Sequence, residues 1–138
     1  MRGYRIADYI VDFISMLGVD KIFLLPGGGS MHLVDAVALN KDVEAITCQH
    51  EQAAAISAES YGRTHKSGIG VIIVTSGPGA TNAITGVTGA WLESVPMIVI
   101  SGQVKRSDLN SDKKLRQKGP QEIDIISMIQ SITKFSET

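Results

Sequence analysis

Glu51 stands in His50-Glu51-Gln52, where an apolar stretch, Val43 to Thr47, gives way to an alanine-rich segment. If the first is a strand and the second a helix, this carboxylate lies at a strand's carboxyl end and a helix's amino end. That is the crevice in which open α/β sheets bind ligands. A second signal stands downstream, Thr75-Ser76-Gly77-Pro78-Gly79-Ala80-Thr81-Asn82, again between an apolar run and a helical pattern. Glycines there let a backbone turn tightly and come close to a bound group. A carboxylate beside such turns suggests a cofactor site, although a first-turn glutamate satisfied by the helix dipole would look the same in isolation.

Other chemistries find less support. Gly77-Pro78-Gly79-Ala80-Thr81-Asn82 begins like a dinucleotide fingerprint but has asparagine where the third glycine belongs, and it lacks the Gly-Lys-Ser/Thr of a phosphate-gripping P-loop. His32, His50 and His65 share no metal-ligand spacing, so no metal site is expected from this chain alone. No serine occupies a Gly-x-Ser-x-Gly elbow. Cys48, the one cysteine, cannot close a disulfide within the chain and reads as a small core residue.

The elements that would position these residues alternate between helix-like periods and short apolar runs, the pattern of βαβ units with a parallel sheet. Ile6, Tyr9, Ile10, Phe13, Ile14 and Leu17 recur three and four apart, which predicts a first helix packed on a sheet along that stripe and stopped at Gly18. Ile22 to Leu25, closed by Pro26, reads as a buried strand. Gly27-Gly28-Gly29-Ser30 then turns into a second helix marked by Met31, Val34, Val37 and Ala38. Val43 to Thr47 is the next strand, Glu51 to Arg63 a third helix, Val71 to Val74 a strand buried on both faces, and Ala80 to Leu92 a fourth helix. Gly86 and Gly89 inside that helix cost about 1 kcal/mol each against alanine, so another backbone or a partner subunit is expected against them. Met97 to Ile100 follows Pro96 as a strand. Gly102 to Gln121 is a long polar loop carrying Lys105, Arg106, Lys113, Lys114, Arg116 and Lys118, and a last helix is expected over Ile123 to Ile132.

At 138 residues, 43% hydrophobic and 20% charged, the chain suits one globular domain. A net charge of -1 gives no electrostatic footprint for nucleic acid. No apolar run approaches the roughly 20 residues of a membrane span, and the start does not read as a signal peptide. Cytoplasmic location is the default expectation.

Six blocks, taken in order, carry a likeness: Pro26-Gly27-Gly28; His50-Glu51-Gln52-Ala53-Ala54; Ala58-Glu59-Ser60-Tyr61-Gly62-Arg63; Thr75 to Asn82; Ser94-Val95-Pro96-Met97; and Ser101-Gly102-Gln103-Val104. The chain resembles, along nearly its whole length, the N-terminal pyrimidine-binding domain of thiamin-diphosphate enzymes of the acetolactate synthase-like branch. The resemblance implies a three-layer α/β sandwich, a central parallel sheet with helices on both faces, here lacking its last elements. It implies that Glu51 hydrogen-bonds a ring nitrogen of the aminopyrimidine, favouring the imino tautomer that takes the proton from thiazolium C2. It further implies that Pro26, Gly27 and Gly28 let the backbone pass close to thiamin diphosphate and that Thr75, Gly77, Pro78, Gly79 and Asn82 wall the pyrimidine. Gln103 and Gln121 match glutamines near the substrate, a 2-keto acid.

Two features depart from the family. Pro120 stands before Gln121-Glu122 where typical acetolactate synthases carry phenylalanine, which leaves the choice of substrate open. Nothing resembles the segment that binds magnesium and diphosphate, so residues 1–138 are expected to be either a fragment of an enzyme of several domains or a truncated product, inactive alone. Mg2+ would then come through a diphosphate-binding domain of the same or another subunit, in a homo-oligomer, with FAD an open question. The residues alone leave two other readings standing: a phosphate or nucleotide module at helix N-termini without catalysis, and a non-catalytic assembly domain.

Overall fold

The computed structural model describes residues 3–110 and 115–138. Among these residues the α-helices and β-strands run in the order α1 (Ile6–Met16), β1 (Lys21–Leu24), α2 (Met31–Leu39), β2 (Glu44–Thr47), α3 (Glu51–Thr64), β3 (Gly70–Val74), α4 (Pro78–Leu92), β4 (Met97–Ser101) and α5 (Ile125–Ile129). The four strands are all parallel and lie in the order β2-β1-β3-β4. Alternation along the strands divides the core in two. Ile22, Leu24, Val71 and Ile73 face one side with Val11 and Ile14 of α1 and Ala36 and Val37 of α2. Phe23, Ile72 and Val74 face the other with Ala54, Ala55 and Ala58 of α3 and Ala80 and Ala83 of α4. The architecture is therefore the expected three-layer α/β sandwich with a central parallel sheet.

The strand order fixes where a ligand can bind. From β1 the chain crosses through α2 to β2 on one side, and from β3 it crosses through α4 to β4 on the other. Connections diverge between β1 and β3, so the carboxyl ends of those two strands open a crevice rather than being roofed by a crossover. The turn after β1 holds Gly27, Gly28 and Gly29, and the turn after β3 holds Thr75 to Gly77.

Helix α3 lies very close to its neighbours because its inward positions are small. A Cβ on Gly70 would sit 2.0 Å from the Ala58 carbonyl oxygen, and one on Gly86 would sit 2.5 Å from the Ala55 Cβ and 2.8 Å from its carbonyl carbon. Gly86 is thus explained by the backbone of α3. Gly89 has no atom within 4 Å of its would-be Cβ, and nothing among the described residues accounts for it. The two glycines therefore predict opposite outcomes from one substitution in this chain. Gly86→Ala is expected to destabilise by about 1–3 kcal/mol through overpacking. Gly89→Ala is expected to stabilise by about 0.5–1 kcal/mol through helix propensity and a less disordered unfolded chain. Urea unfolding midpoints of the two variants check the signs.

Three sequence expectations need correction. Of the stripe Ile6, Tyr9, Ile10, Phe13, Ile14 and Leu17, only Ile10 and Ile14 pack inward: Ile6 is 81% and Tyr9 57% exposed, and Phe13 and Leu17 are exposed too. The sheet is met by Val11 and Ile14, with Ala7 and Ile10 beside them, because small and branched side chains allow closer approach to a pleated surface. Helix α4 begins at Pro78, two residues earlier than expected, since proline suits the first helical turn. The last helix is shorter than Ile123 to Ile132. Asp124 accepts from the Ser127 N–H at 3.1 Å and from its hydroxyl at 2.7 Å, starting α5 at Ile125, and a 3-10 turn replaces its end at Gln130–Ile132. No helix among the described residues is long and apolar enough to cross a membrane.

Tyr61 ties the far, amino-terminal end of the sheet. Its hydroxyl donates to Asp20 at 2.7 Å, which holds the Asp20 carboxyl below its ordinary range, while desolvation and that same carboxylate raise the phenol. This cluster lies at the opposite end of the strands from Glu51 and stitches α3 to the start of β1.

Candidate functional site

His50 is the N-cap of α3. Its Nδ1 accepts from the Gln52 N–H at 3.1 Å, so its ring is spent on ending the helix cleanly, and it is exposed. The cap turns Glu51 inward as the first residue of the helix. Glu51 is only 7% exposed, one of three buried polar residues among those described. A carboxylate removed from water needs partners. The Asn82 side-chain amide donates to its Oε2 at 3.0 Å. The other oxygen, Oε1, faces Gly79, where an added Cβ would come within 3.3 Å of it. Asn82 reaches Glu51 because α4 starts at Pro78, which brings the first turn of α4 against the first turn of α3.

The two glycine turns interlock instead of merely lying near one another. The Gly29 N–H donates to the Thr75 hydroxyl at 3.1 Å, and a Cβ on Gly27 would meet the Thr75 side chain at 2.4 Å. Gly79 approaches the same threonine, 2.7 Å from its Cγ2 to a would-be Cβ. Thr75 is therefore the post against which both turns are set. Gly77 has φ 58 and ψ -116, a conformation that excludes most side chains. Gly28 is open, with no atom within 4 Å of its would-be Cβ, and Pro26 and Pro78 are exposed at the rim.

Of the residues expected at a site, Gly27, Gly28, Glu51, Thr75, Gly77, Gly79 and Asn82 thus form one contiguous group along the carboxyl edge of the sheet, with Pro26 and Pro78 at its rim. The glutamines differ. The Gln103 side-chain carbonyl accepts from the Val104 N–H at 2.8 Å, so its amide is folded back on its own segment. Gln121 lies against the Gly77 turn, its carbonyl oxygen 2.1 Å from the position a Cβ on Gly77 would take. Lys105, Arg106, Arg116 and Lys118 of the basic loop are exposed, whereas Lys113 and Lys114 lie outside the described residues. Two further positions belong to the same edge. Gly102 packs on Gly29, with a would-be Cβ 2.5 Å from the Gly29 carbonyl carbon, and its N–H donates to the Val74 carbonyl at 2.8 Å. Its signal in the sequence is a glycine directly after β4, the same place that Gly27 and Gly77 hold near the ends of β1 and β3. Glu122, in the turn beside Gln121, carries no such signal.

Residues 4–128 match the family described as thiamine pyrophosphate enzyme, N-terminal TPP binding domain. This chain belongs to that family. Curated relatives include the acetolactate synthase large subunit of Buchnera aphidicola from Schizaphis graminum, 42% identical over 94% of this chain and 22% of the relative. Acetolactate synthase isozyme 2 large subunit of Escherichia coli is 40% identical, covering 94% of this chain and 22% of the relative. The chloroplastic acetolactate synthase of Arabidopsis thaliana is 38% identical, covering 94% and 18%. The chain spans about a fifth of the length of the curated relatives it matches.

The donor set suits an aminopyrimidine. A buried carboxylate with one oxygen fixed by an amide N–H and the other turned to a glycine can share a proton with a ring nitrogen, and Gly28 leaves its backbone uncovered at the same edge. Among the described residues no three His, Cys, Asp or Glu side chains come together in a way that could hold a metal ion.

Proposed function

We propose that the chain is the cofactor-activating, pyrimidine-binding part of a thiamin-diphosphate enzyme that decarboxylates a 2-keto acid and transfers the acyl unit, as an acetolactate synthase-like protein would. One observation carries this: Glu51 is buried at the carboxyl edge of the sheet with one oxygen held by Asn82 and the other facing Gly79 at the start of α4. Glu51 would hold a proton at Oε1 and share it with the ring nitrogen. Asn82 fixes the carboxylate plane, Gly27 and Gly79 let both turns close on Thr75, Gly77 lets its turn close on Gln121, and Gly28 leaves open space for the ring. When bound, thiamin diphosphate supplies an acidic C2–H and a sink for the electron pair left as CO2 departs. Gln103 and Gln121 would stand on the substrate side.

The reading includes a need for a diphosphate-binding domain that brings Mg2+, on the same or another polypeptide of a cytoplasmic homo-oligomer, with FAD optional. Relatives about five times longer than this chain support it. The test is calorimetric titration of thiamin diphosphate with Mg2+ into this chain, alone and joined to the remaining domains of a relative such as the Escherichia coli isozyme 2 large subunit. Tight binding only in the joined protein is expected. Nucleotide binding by the chain alone, without any response to thiamin diphosphate in the joined protein, would favour a phosphate-binding module instead.

A further inference from the structure

Gln121 is one of two non-glycine residues with positive φ among those described, at 59. It sits third in the turn Gly119-Pro120-Gln121-Glu122, which the Glu122 N–H closes onto the Gly119 carbonyl at 3.3 Å. Proline second and positive φ third is the type II arrangement, whose third position ordinarily holds glycine or asparagine. A glutamine there is strained, and such strain persists only where the surroundings enforce it.

The surroundings are built by Glu122. Its carboxylate accepts the backbone N–H groups of Asn110 at 2.6 Å, Gly119 at 3.1 Å and Lys118 at 3.2 Å. These bonds, that from Asn110 foremost, hold the carboxyl below its ordinary range, and the Lys118 ammonium adds to them against partial desolvation. Gly119 is in turn pressed on Val104, just beyond Gln103, with a would-be Cβ 2.6 Å from its Cγ1. One side chain thus fastens Asn110, midway along the segment between β4 and α5, to Lys118 and Gly119 near its end.

We propose that Glu122 is a positioning residue: by tying Asn110, Lys118 and Gly119 it locks the Pro120-Gln121 turn against Gly77 and so sets Gln121 at the mouth of the cofactor crevice. The inference rests on the reading of Gln121 as a substrate-side residue. It gives a role to Pro120 as well, since a fixed φ at the second position favours this turn. Because the carboxyl is held low, the tie is complete above the ordinary carboxylate range and is released as pH falls through the lowered value.

Two measurements test it. In the full chain, hydrogen exchange at the Asn110, Lys118 and Gly119 amides should accelerate roughly tenfold or more in Glu122→Ala while the amides of β3 keep their protection. In the joined enzyme, Glu122→Ala should raise KM for the 2-keto acid about tenfold with kcat changed less than about threefold, and Glu122→Gln, which still offers a carbonyl, should recover part of the loss. Gln121→Gly should raise the unfolding midpoint by relieving strain and yet raise KM, a split that a purely structural turn would not give. Unchanged amide exchange, or unchanged KM in an active Glu122→Ala enzyme, would overturn the inference alone. A wild-type joined enzyme without keto-acid turnover would instead sink the functional reading on which it rests.

Discussion

Glu51→Gln is expected to slow exchange of the thiamin-diphosphate C2 proton by roughly 10²- to 10⁴-fold, the span usual for loss of one proton-transferring group, in the chain joined to a diphosphate-binding half. The substitution keeps the shape of the side chain and leaves a carbonyl oxygen for the Asn82 amide, which now donates to Oε2 at 3.0 Å. It puts in place of Oε1 an amide N–H that can donate to the ring but cannot exchange its proton with it. Burial argues that folding survives: a neutral amide is easier to take out of water than a carboxylate, and Glu51 is only 7% exposed. The unfolding midpoint should therefore be unchanged or higher while exchange collapses. Urea unfolding reads the first, and proton NMR of the cofactor in deuterated buffer the second. A variant that lost both together would mean that Glu51 is a structural carboxylate.

Gly77→Ala should be the most damaging single-methyl change at the site. The residue has φ 58 and ψ -116, and the new Cβ would lie 2.1 Å from the Gln121 carbonyl oxygen and 3.0 Å from its Cβ. A backbone oxygen cannot rotate away, so either the turn after β3 or the Pro120-Gln121 turn must shift. Backbone strain of about 1–3 kcal/mol and overpacking of a similar size together approach the whole stability of a marginal domain, roughly 5–15 kcal/mol. The unfolding midpoint should fall steeply and cofactor affinity with it. Gly28→Ala is the matching control: no atom lies within 4 Å of its would-be Cβ, so the fold should melt with wild type, and any loss should be confined to cofactor binding. Equal destabilisation by the two would contradict the geometry described for the turns.

Much of this arrangement is legible in the amino-acid order. Continuous apolar runs such as Val71 to Val74 can be satisfied only by burial on both faces, and Pro26 and Pro96 mark where strands end or begin. A carboxylate shortly after a strand, repeated by glycine turns after two others, locates the site on one edge of the sheet. The partner of Glu51 is harder to read. Asn82 is 31 residues away, and only the close approach of α3 and α4, set by small residues at Ala55 and Gly86, brings the two first turns together. The packed face of α1 escapes the periodicity because apolar residues occur on two adjacent stripes, and a repeat of three and four does not say which stripe the sheet can approach. Glu122 gives no signal at all, since a carboxylate that collects backbone N–H groups depends on the path of the loop and not on the identity of the residues in it.

The central claim is that Glu51 acts through a nitrogen of the pyrimidine ring, and a two-by-two cycle tests it most directly. C2 proton exchange would be measured in the wild-type joined enzyme and in its Glu51→Gln variant, each with thiamin diphosphate and with an analogue in which that ring nitrogen is replaced by C–H. Either change alone is expected to slow exchange roughly 10²-fold or more, and the two together scarcely further, because both delete one proton-sharing contact. Fully multiplying losses would mean that the carboxylate and the nitrogen act separately, and the account given for this site would be wrong.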